Sequence, residues 1–121
     1  MITIGQTIYT LLTGNTAITG YTGLNIFPLI VPENTPLPLI VYERRSTNDA
    51  NKDANALNNV DVDVMILADE YKESIDIAVL VASTLENYSN GAIKKIHFTN
   101  IDEVYTDGVF IQKLTFNIKC Y

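Results

Sequence analysis

Apolar residues recur at helical intervals over the first thirteen positions. Ile4, Ile8, Leu11 and Leu12 fall at i, i+4, i+7 and i+8, the spacing of one helix face. The pattern predicts a helix over 2–13, opened by Thr3 as N-cap and stopped at Gly14-Asn15. Residues 14–24 are rich in Thr and Gly, which suits a turn-rich connection with space for one short helical turn around Thr16 to Thr19. Short apolar runs at 25–30 and 38–44 predict strands. Residues 59–68 give the clearest strand pattern: Val60, Val62, Val64, Ile66 and Ala68 alternate with Asp61, Asp63, Met65 and Leu67, so one face is buried and the other partly wet.

At Asp69 the period changes. Asp69 is a good N-cap, and Glu70 and Glu73 favour the first turn of a helix through its dipole. Tyr71, Ile75, Ala78, Val79, Ala82 and Leu85 would then share a face, with a stop at Asn90-Gly91 after about Tyr88. Two strands follow, at about 92–106 and 109–120, joined by Asp107-Gly108, a strong hairpin signal. On the last strand Phe110, Leu114, Phe116, Ile118 and Cys120 point one way, and Ile111, Lys113, Thr115, Asn117 and Lys119 the other. The expected fold is α+β: a mostly antiparallel sheet of about five strands with two helices packed on one face. The chain reads as one domain over 1–121, with a flexible polar loop at about 44–58.

The stretch Asn25–Asn59 carries the most local information. Asn25-Ile26-Phe27-Pro28 is a short apolar unit closed by proline, and Leu37-Pro38-Leu39-Ile40-Val41-Tyr42-Glu43 is a second. Proline has no N–H for a ladder, so neither strand is central in a sheet near its proline. The run Arg44-Arg45-Ser46-Thr47-Asn48-Asp49-Ala50-Asn51-Lys52-Asp53-Ala54-Asn55 then offers almost no apolar side chain. A long polar loop in a compact domain is usually functional or disordered.

A length of 121 residues suits one domain that can bury a core without disulfides or metals. The single cysteine, Cys120, has no partner for an internal disulfide and reads as a small apolar residue on a strand. A net charge of −6 argues against broad nucleic-acid binding, which needs Lys and Arg to neutralise phosphates. No apolar run approaches the roughly 20 residues of a membrane span. The start, Met1-Ile2-Thr3-Ile4, carries no basic segment of a signal peptide, so synthesis and residence in a cytoplasm are expected.

The chain offers little for catalysis. His97 is the only histidine and stands in no motif with a Ser, Cys or Asp; it reads as an edge-strand residue. Asp61 and Asp63 share a strand face and could suggest a hard cation, but the polar face of an alternating strand accounts for them. P-loop, GxGxxG, CxxC and HExxH patterns are absent. No catalytic, cofactor-binding or metal residues are assigned, and no cofactor is expected. Polar residues gather instead in the loop and at the hairpin. The expected interface residues are Arg44, Arg45, Asn48, Asp49, Lys52, Asp53, Asp102, Glu103 and Asp107.

Four features in order carry a family resemblance. They are Ile8-Tyr9-x-Leu11-Leu12 in the first helix, Asn25-Ile26-Phe27-Pro28, Pro36-Leu37-Pro38-Leu39-Ile40-Val41-Tyr42-Glu43, and a final strand Val109-Phe110-Ile111-Gln112-Lys113-Leu114-Thr115-Phe116-x-Ile118 after an acidic hairpin. With these the chain resembles the tail-completion or tail-terminator proteins of long-tailed bacteriophages, also described as head–tail joining or minor tail components. Where that family often has arginine near the start of the last strand, this chain has Gln112-Lys113. The resemblance implies a structural protein without turnover that caps the tail tube as a ring, commonly of six copies. Its partners would be further copies of itself, the tail tube protein and the head-completion or connector protein. DNA would pass through the lumen without specific binding, and no membrane would be involved. The site of action would be the virion tail or neck, after assembly in the host bacterial cytoplasm. Two other readings stay open at the level of sequence: a non-viral dimeric α+β module holding a small ligand, and a metal-dependent hydrolase using Asp61 and Asp63.

Overall fold

The computed structural model describes residues 3–45 and 59–121. Its elements run α1 (Ile4–Thr13), α2 (Thr16–Thr22), β1 (Ile26–Pro28), β2 (Leu39–Arg45), β3 (Asn59–Ala68), α3 (Tyr71–Leu85), β4 (Ile93–Thr106) and β5 (Val109–Cys120). The strands form one sheet in the order β1-β2-β3-β5-β4. The three pairings β2–β3, β3–β5 and β4–β5 are antiparallel, and β1 lies parallel to β2. The fold is α+β with a mostly antiparallel sheet, as expected. The parallel pair arises because the chain crosses back over residues 29–38 before entering β2.

Strand β3 is central. Val60, Val62, Val64, Ile66 and Ala68 are all buried on one face, where Ile40 and Tyr42 of β2, Leu114, Phe116 and Ile118 of β5, and Ile93 and Ile96 of β4 join them. The helices close this layer. Ile4, Ile8 and Leu12 of α1, Ile18 of α2, and Ile77, Val81 and Leu85 of α3 enter the same cluster. Each large aliphatic or aromatic side chain buried here contributes roughly 1.5–3 kcal/mol through removal from water. Among the described residues the opposite sheet face carries no helix, and no helix is long and apolar enough to cross a membrane.

Helix boundaries depart from expectation in four places. Thr3 stands at the N-cap of α1 but makes no side-chain cap bond. The connection after Gly14 is a full helix, α2; Gly14 is the C-cap of α1 and Asn15 the N-cap of α2, its Oδ1 accepting from the N–H groups of Ala17 and Ile18. Helix α3 is entered from Glu70 rather than Asp69, again without a side-chain cap. It ends at Leu85, before the expected stop, because the Asn87 N–H turns away to the Ile96 carbonyl at 2.8 Å.

The buried face of α3 is Ser74, Ile77, Ala78, Val81 and Leu85. Only Ala78 and Leu85 of the predicted stripe belong to it, while Tyr71 and Val79 are exposed. Ile75, Ile77, Val79, Leu80 and Val81 place apolar groups around most of the helix, so periodicity alone does not choose a face. Packing on β3 and β5 chooses it.

The hairpin turn follows the sequence directly. Asp107 at φ 50° and Gly108 at φ 79° form the left-handed pair of a two-residue turn between antiparallel strands. Phe116→Ala should cost about 3–5 kcal/mol, the range for deleting a fully buried aromatic side chain; urea unfolding followed by far-UV circular dichroism measures it.

Candidate assembly surface

On the helix-free face, alternation brings Asp61, Asp63, Met65 and Leu67 of β3 beside the outward residues of β2 and β5. Asp63 lies opposite Glu43 on one side and Thr115 on the other. Its carboxylate is fully buried. Arg45 Nε lies 2.6 Å from Oδ2, close in distance but not aligned as a hydrogen bond, and Arg45 Nη2 donates to Oδ1 at 3.2 Å. Thr115 Oγ1 donates to Oδ1 at 2.8 Å, and Lys113 Nζ stands 3.8 Å from Oδ2. A buried carboxylate is tolerated only when paired and hydrogen-bonded in this way. Asp61, Met65 and Leu67 are half-buried, in keeping with a partly wet face, but Asp63 departs from it: it is a buried anchor that ties β2 to β5 across β3. Asp61 accepts from Asn117 Nδ2 at 2.9 Å. Among the described residues no group of three or more His, Cys, Asp and Glu side chains could hold a metal. His97 is exposed on β4, as expected of an edge-strand residue.

A second polar cluster lies on the helix side. Gln112 has the same parity as Leu114 and Phe116, so it points inward and is fully buried. Its Nε2 donates to Ser74 Oγ at 3.3 Å and to Glu103 Oε2 at 3.2 Å, and Tyr71 Oη donates to the same Glu103 oxygen at 2.9 Å. The Glu103 carboxylate raises the Tyr71 phenol pKa, since it holds the phenolic proton. Phe110 packs edge-on against Tyr71 at 5.6 Å and against Tyr105 at 4.6 Å. The cluster fastens edge strand β4 to α3 through β5. Gln112 and Ser74 were not among the predicted site residues. The available signal was a polar residue at an inward position of an alternating strand.

The predicted interface residues separate into distinct regions. Arg44 and Arg45 end β2, and Arg45 is committed to Asp63. Asn48, Asp49, Lys52 and Asp53, with most of the predicted polar loop, lie outside the described residues. Asp102 is exposed and accepts from Asn100 Nδ2 at 3.2 Å, Glu103 belongs to the Gln112 cluster, and Asp107 occupies the turn. Arg45 is level with Asn117 and His97, and Asp102 with Lys113 and Val41, an offset of roughly 13 Å along the strands at 3.3 Å per residue. The structure does not bring the arginines and the hairpin acids together. The acids stand instead near Asp69, Glu70 and Glu73, where α3 leaves the same end of the sheet. Burial, with the charges of Asp69 and Glu70, raises the Glu73 pKa.

Sequence reasoning missed the apolar character of both sheet edges. Ile101, Val104 and Tyr105 are exposed on β4, and Leu24, Leu29 and Ile30 are exposed around β1. Beside β1 a groove of about 500 Å³ is lined by Gly5, Gln6, Tyr9, Thr10, Pro28 and Tyr42. An adjoining hollow of about 200 Å³ reaches Leu29, Glu43 and Arg44. Burial and the neighbouring Tyr9 raise the Tyr42 pKa.

Two measurements check this geometry. Arg45→Met should destabilise by about 2 kcal/mol, because it leaves the buried Asp63 charge short of its main cation, whereas Lys113→Met should cost about 0.5 kcal/mol; thermal unfolding of both variants compares them. The Cys120 thiol pKa is pushed up by burial, so its thiolate fraction is low at neutral pH. Its reaction with an aromatic disulfide at pH 8 should be slower than that of the urea-unfolded chain.

Comparison with known proteins agrees with this architecture. A comparison with curated proteins matches none. Among solved structures, a chain described as "Virion of native gene transfer agent (GTA) particle" is similar at a TM-score of 0.73 and 12% identity, over 93% of this chain and 90% of that one. At that identity the likeness is one of fold. The family model described as tail completion protein gp17 matches residues 6–119. The chain therefore belongs to the tail completion protein gp17 family, and is a structural component of bacteriophage tails.

Proposed function

We propose that this protein completes the phage tail by capping the tail tube as a closed ring of about six copies and joining it to the head connector. The observation that carries this reading is the family match across 6–119. The mechanism is stoichiometric binding: each copy contacts its neighbours, the tail tube protein below and the head-completion or connector protein above. A closed ring uses head-to-tail contacts, so each subunit needs two unlike patches. The two exposed apolar edges meet that requirement on opposite sides of one sheet.

No step of this role needs turnover, and we assign the chain no enzymatic activity. Asp61 and Asp63, the pair considered for a hydrolase, are engaged by Asn117, Arg45 and Thr115. The net charge of −6 suits a lumen that DNA traverses without adhering, since adhesion depends on cations meeting phosphates. Arg44, Asp102 and Asp107 remain candidate contacts in the neck, as do Asn48, Asp49, Lys52 and Asp53 in the connection between β2 and β3. The site of action is the tail or neck of the particle, reached by assembly in the host cytoplasm.

Disrupting the gene in a phage genome that encodes it tests the role. The expected result is filled heads and separate tails in electron micrographs, with infectivity restored by a plasmid copy. Joined, infectious particles in the absence of the protein would overturn the reading.

A further inference from the structure

Strand β4 is an edge strand whose two halves differ. In its first half the edge is occupied, since Asn87 N–H donates to the Ile96 carbonyl at 2.8 Å and Asn90 N–H to the Ile93 carbonyl at 2.9 Å. Over 99–106, no loop backbone bond covers it among the described residues, and every residue there is exposed. An uncovered edge with apolar side chains is a ready template for a partner. Here those side chains are Ile101, Val104 and Tyr105, the last 62% exposed.

The opposite side of the molecule has an unusual backbone. Leu29 adopts φ 62°, a region sterically unfavourable for a bulky L-residue. It sits in a three-residue turn in which Ile30 N–H donates to the Pro28 carbonyl at 2.6 Å, and its side chain is 68% exposed. A strained residue held with its apolar side chain in water indicates a contact surface more than a packing need. Leu29 lines the hollow that shares Gly5, Pro28 and Tyr42 with the groove reaching Tyr9.

We infer that these two features are partners: the β4 edge around Tyr105 of one copy docks into the β1-side groove beside Leu29 of a second copy. This rests on the ring reading above and specifies its subunit contact. Charge selects the pairing. Two β4 edges fully overlapped over 99–106 about a two-fold axis would set Asp102 of each against Glu103 of the other, and like charges in register are destabilising. Around β1 the segment Leu24-Asn25-Ile26-Phe27-Pro28-Leu29-Ile30 carries no charge. Glu43 and Arg44, of opposite charge, lie together at the end of the adjoining hollow, so this side sets no net negative charge against the acidic strand. The contact is therefore head-to-tail, the type that closes rings. Tyr105 is the aromatic anchor and the groove beside Tyr9 and Tyr42 is its socket.

Two variants test it, each chosen to keep the fold. Leu29→Asn removes that apolar side chain, and Asn tolerates a positive φ better than Leu. Tyr105→Glu charges the exposed anchor. Sedimentation velocity over a wide concentration range should show the wild-type chain self-associating and each variant weakened by about tenfold or more, with circular dichroism melting curves that stay cooperative. A head-to-tail contact makes one further prediction. The Leu29→Asn copy keeps a working β4 edge and the Tyr105→Glu copy keeps a working groove, so a mixture should form a 1:1 heterodimer and nothing larger. Unchanged association of either variant, or no heterodimer in the mixture, would overturn the proposal. So would a wild-type chain that stays monomeric at every concentration. The gene-disruption experiment decides the tail role separately, because it reads joined particles and not this contact.

Discussion

The register of β3 between its two neighbours is the constraint on which the rest of the structure depends. A strand has a side-chain period of two, so a slip of one residue would carry Val60, Val62, Val64 and Ile66 out to water and bring Asp61 and Asp63 into the core. Both sides of β3 oppose that slip. Apolar burial against the helices holds one face, and on the other the Asp63 carboxylate accepts from Arg45 of β2 and Thr115 of β5. An unpaired carboxylate in that position would be costly, so the polar contact specifies the register that the apolar face stabilises. Helices α1, α2 and α3 then have one surface to cover.

The same arrangement leaves particular surfaces uncovered. Helix α3 packs over β3 and β5, and the far half of β4 extends past its cover. The Gln112 cluster keeps that half-strand attached: buried Gln112 links Glu103 to Ser74, and Tyr71 donates to Glu103 directly. At the other edge β1 is only three residues long and ends in Pro28, which limits strand addition there. The two edges thus differ: one offers, among the described residues, an uncovered ladder edge with an aromatic residue, and the other a blunt strand with a groove beside it. Unlike edges on one sheet are what a head-to-tail assembly needs, and a family whose members complete phage tails gives such an assembly a purpose.

The polarity of the chain is arranged along the strands. Asp102, Glu103, Asp107, Asp69, Glu70 and Glu73 collect where β4, β5 and α3 meet, with Lys72 and Lys113 among them, while Arg44, Arg45, Lys94, Lys95 and Lys119 lie toward the other end of the sheet together with Glu43, Asp61 and Asp63. The excess acid behind the net charge of −6 thus gathers at one end, and charges of both signs mix at the other. This discourages symmetric pairing of the acidic ends, which bears on specificity more than on affinity.

Much of the fold was legible in the sequence because it rests on local rules. The alternation of β3 has a period that only a half-buried strand satisfies, Asp107-Gly108 supplies the positive φ angles its turn requires, and Gly14-Asn15 cannot easily continue a helix. The family was legible too, since the order of proline-closed strands and the last strand follow from the chain itself. The tertiary structure decided what local rules leave degenerate. It chose the face of α3, because apolar residues surround that helix and only packing on β3 and β5 selects Ser74, Ile77 and Val81. It turned Asp63 from a surface residue into a buried anchor, because Arg45 comes from a strand whose pairing no local pattern specifies. It also placed Leu29 and Tyr105 on opposite edges with their apolar side chains in water, since strand order is set by long-range pairing and leaves no periodic trace in the sequence.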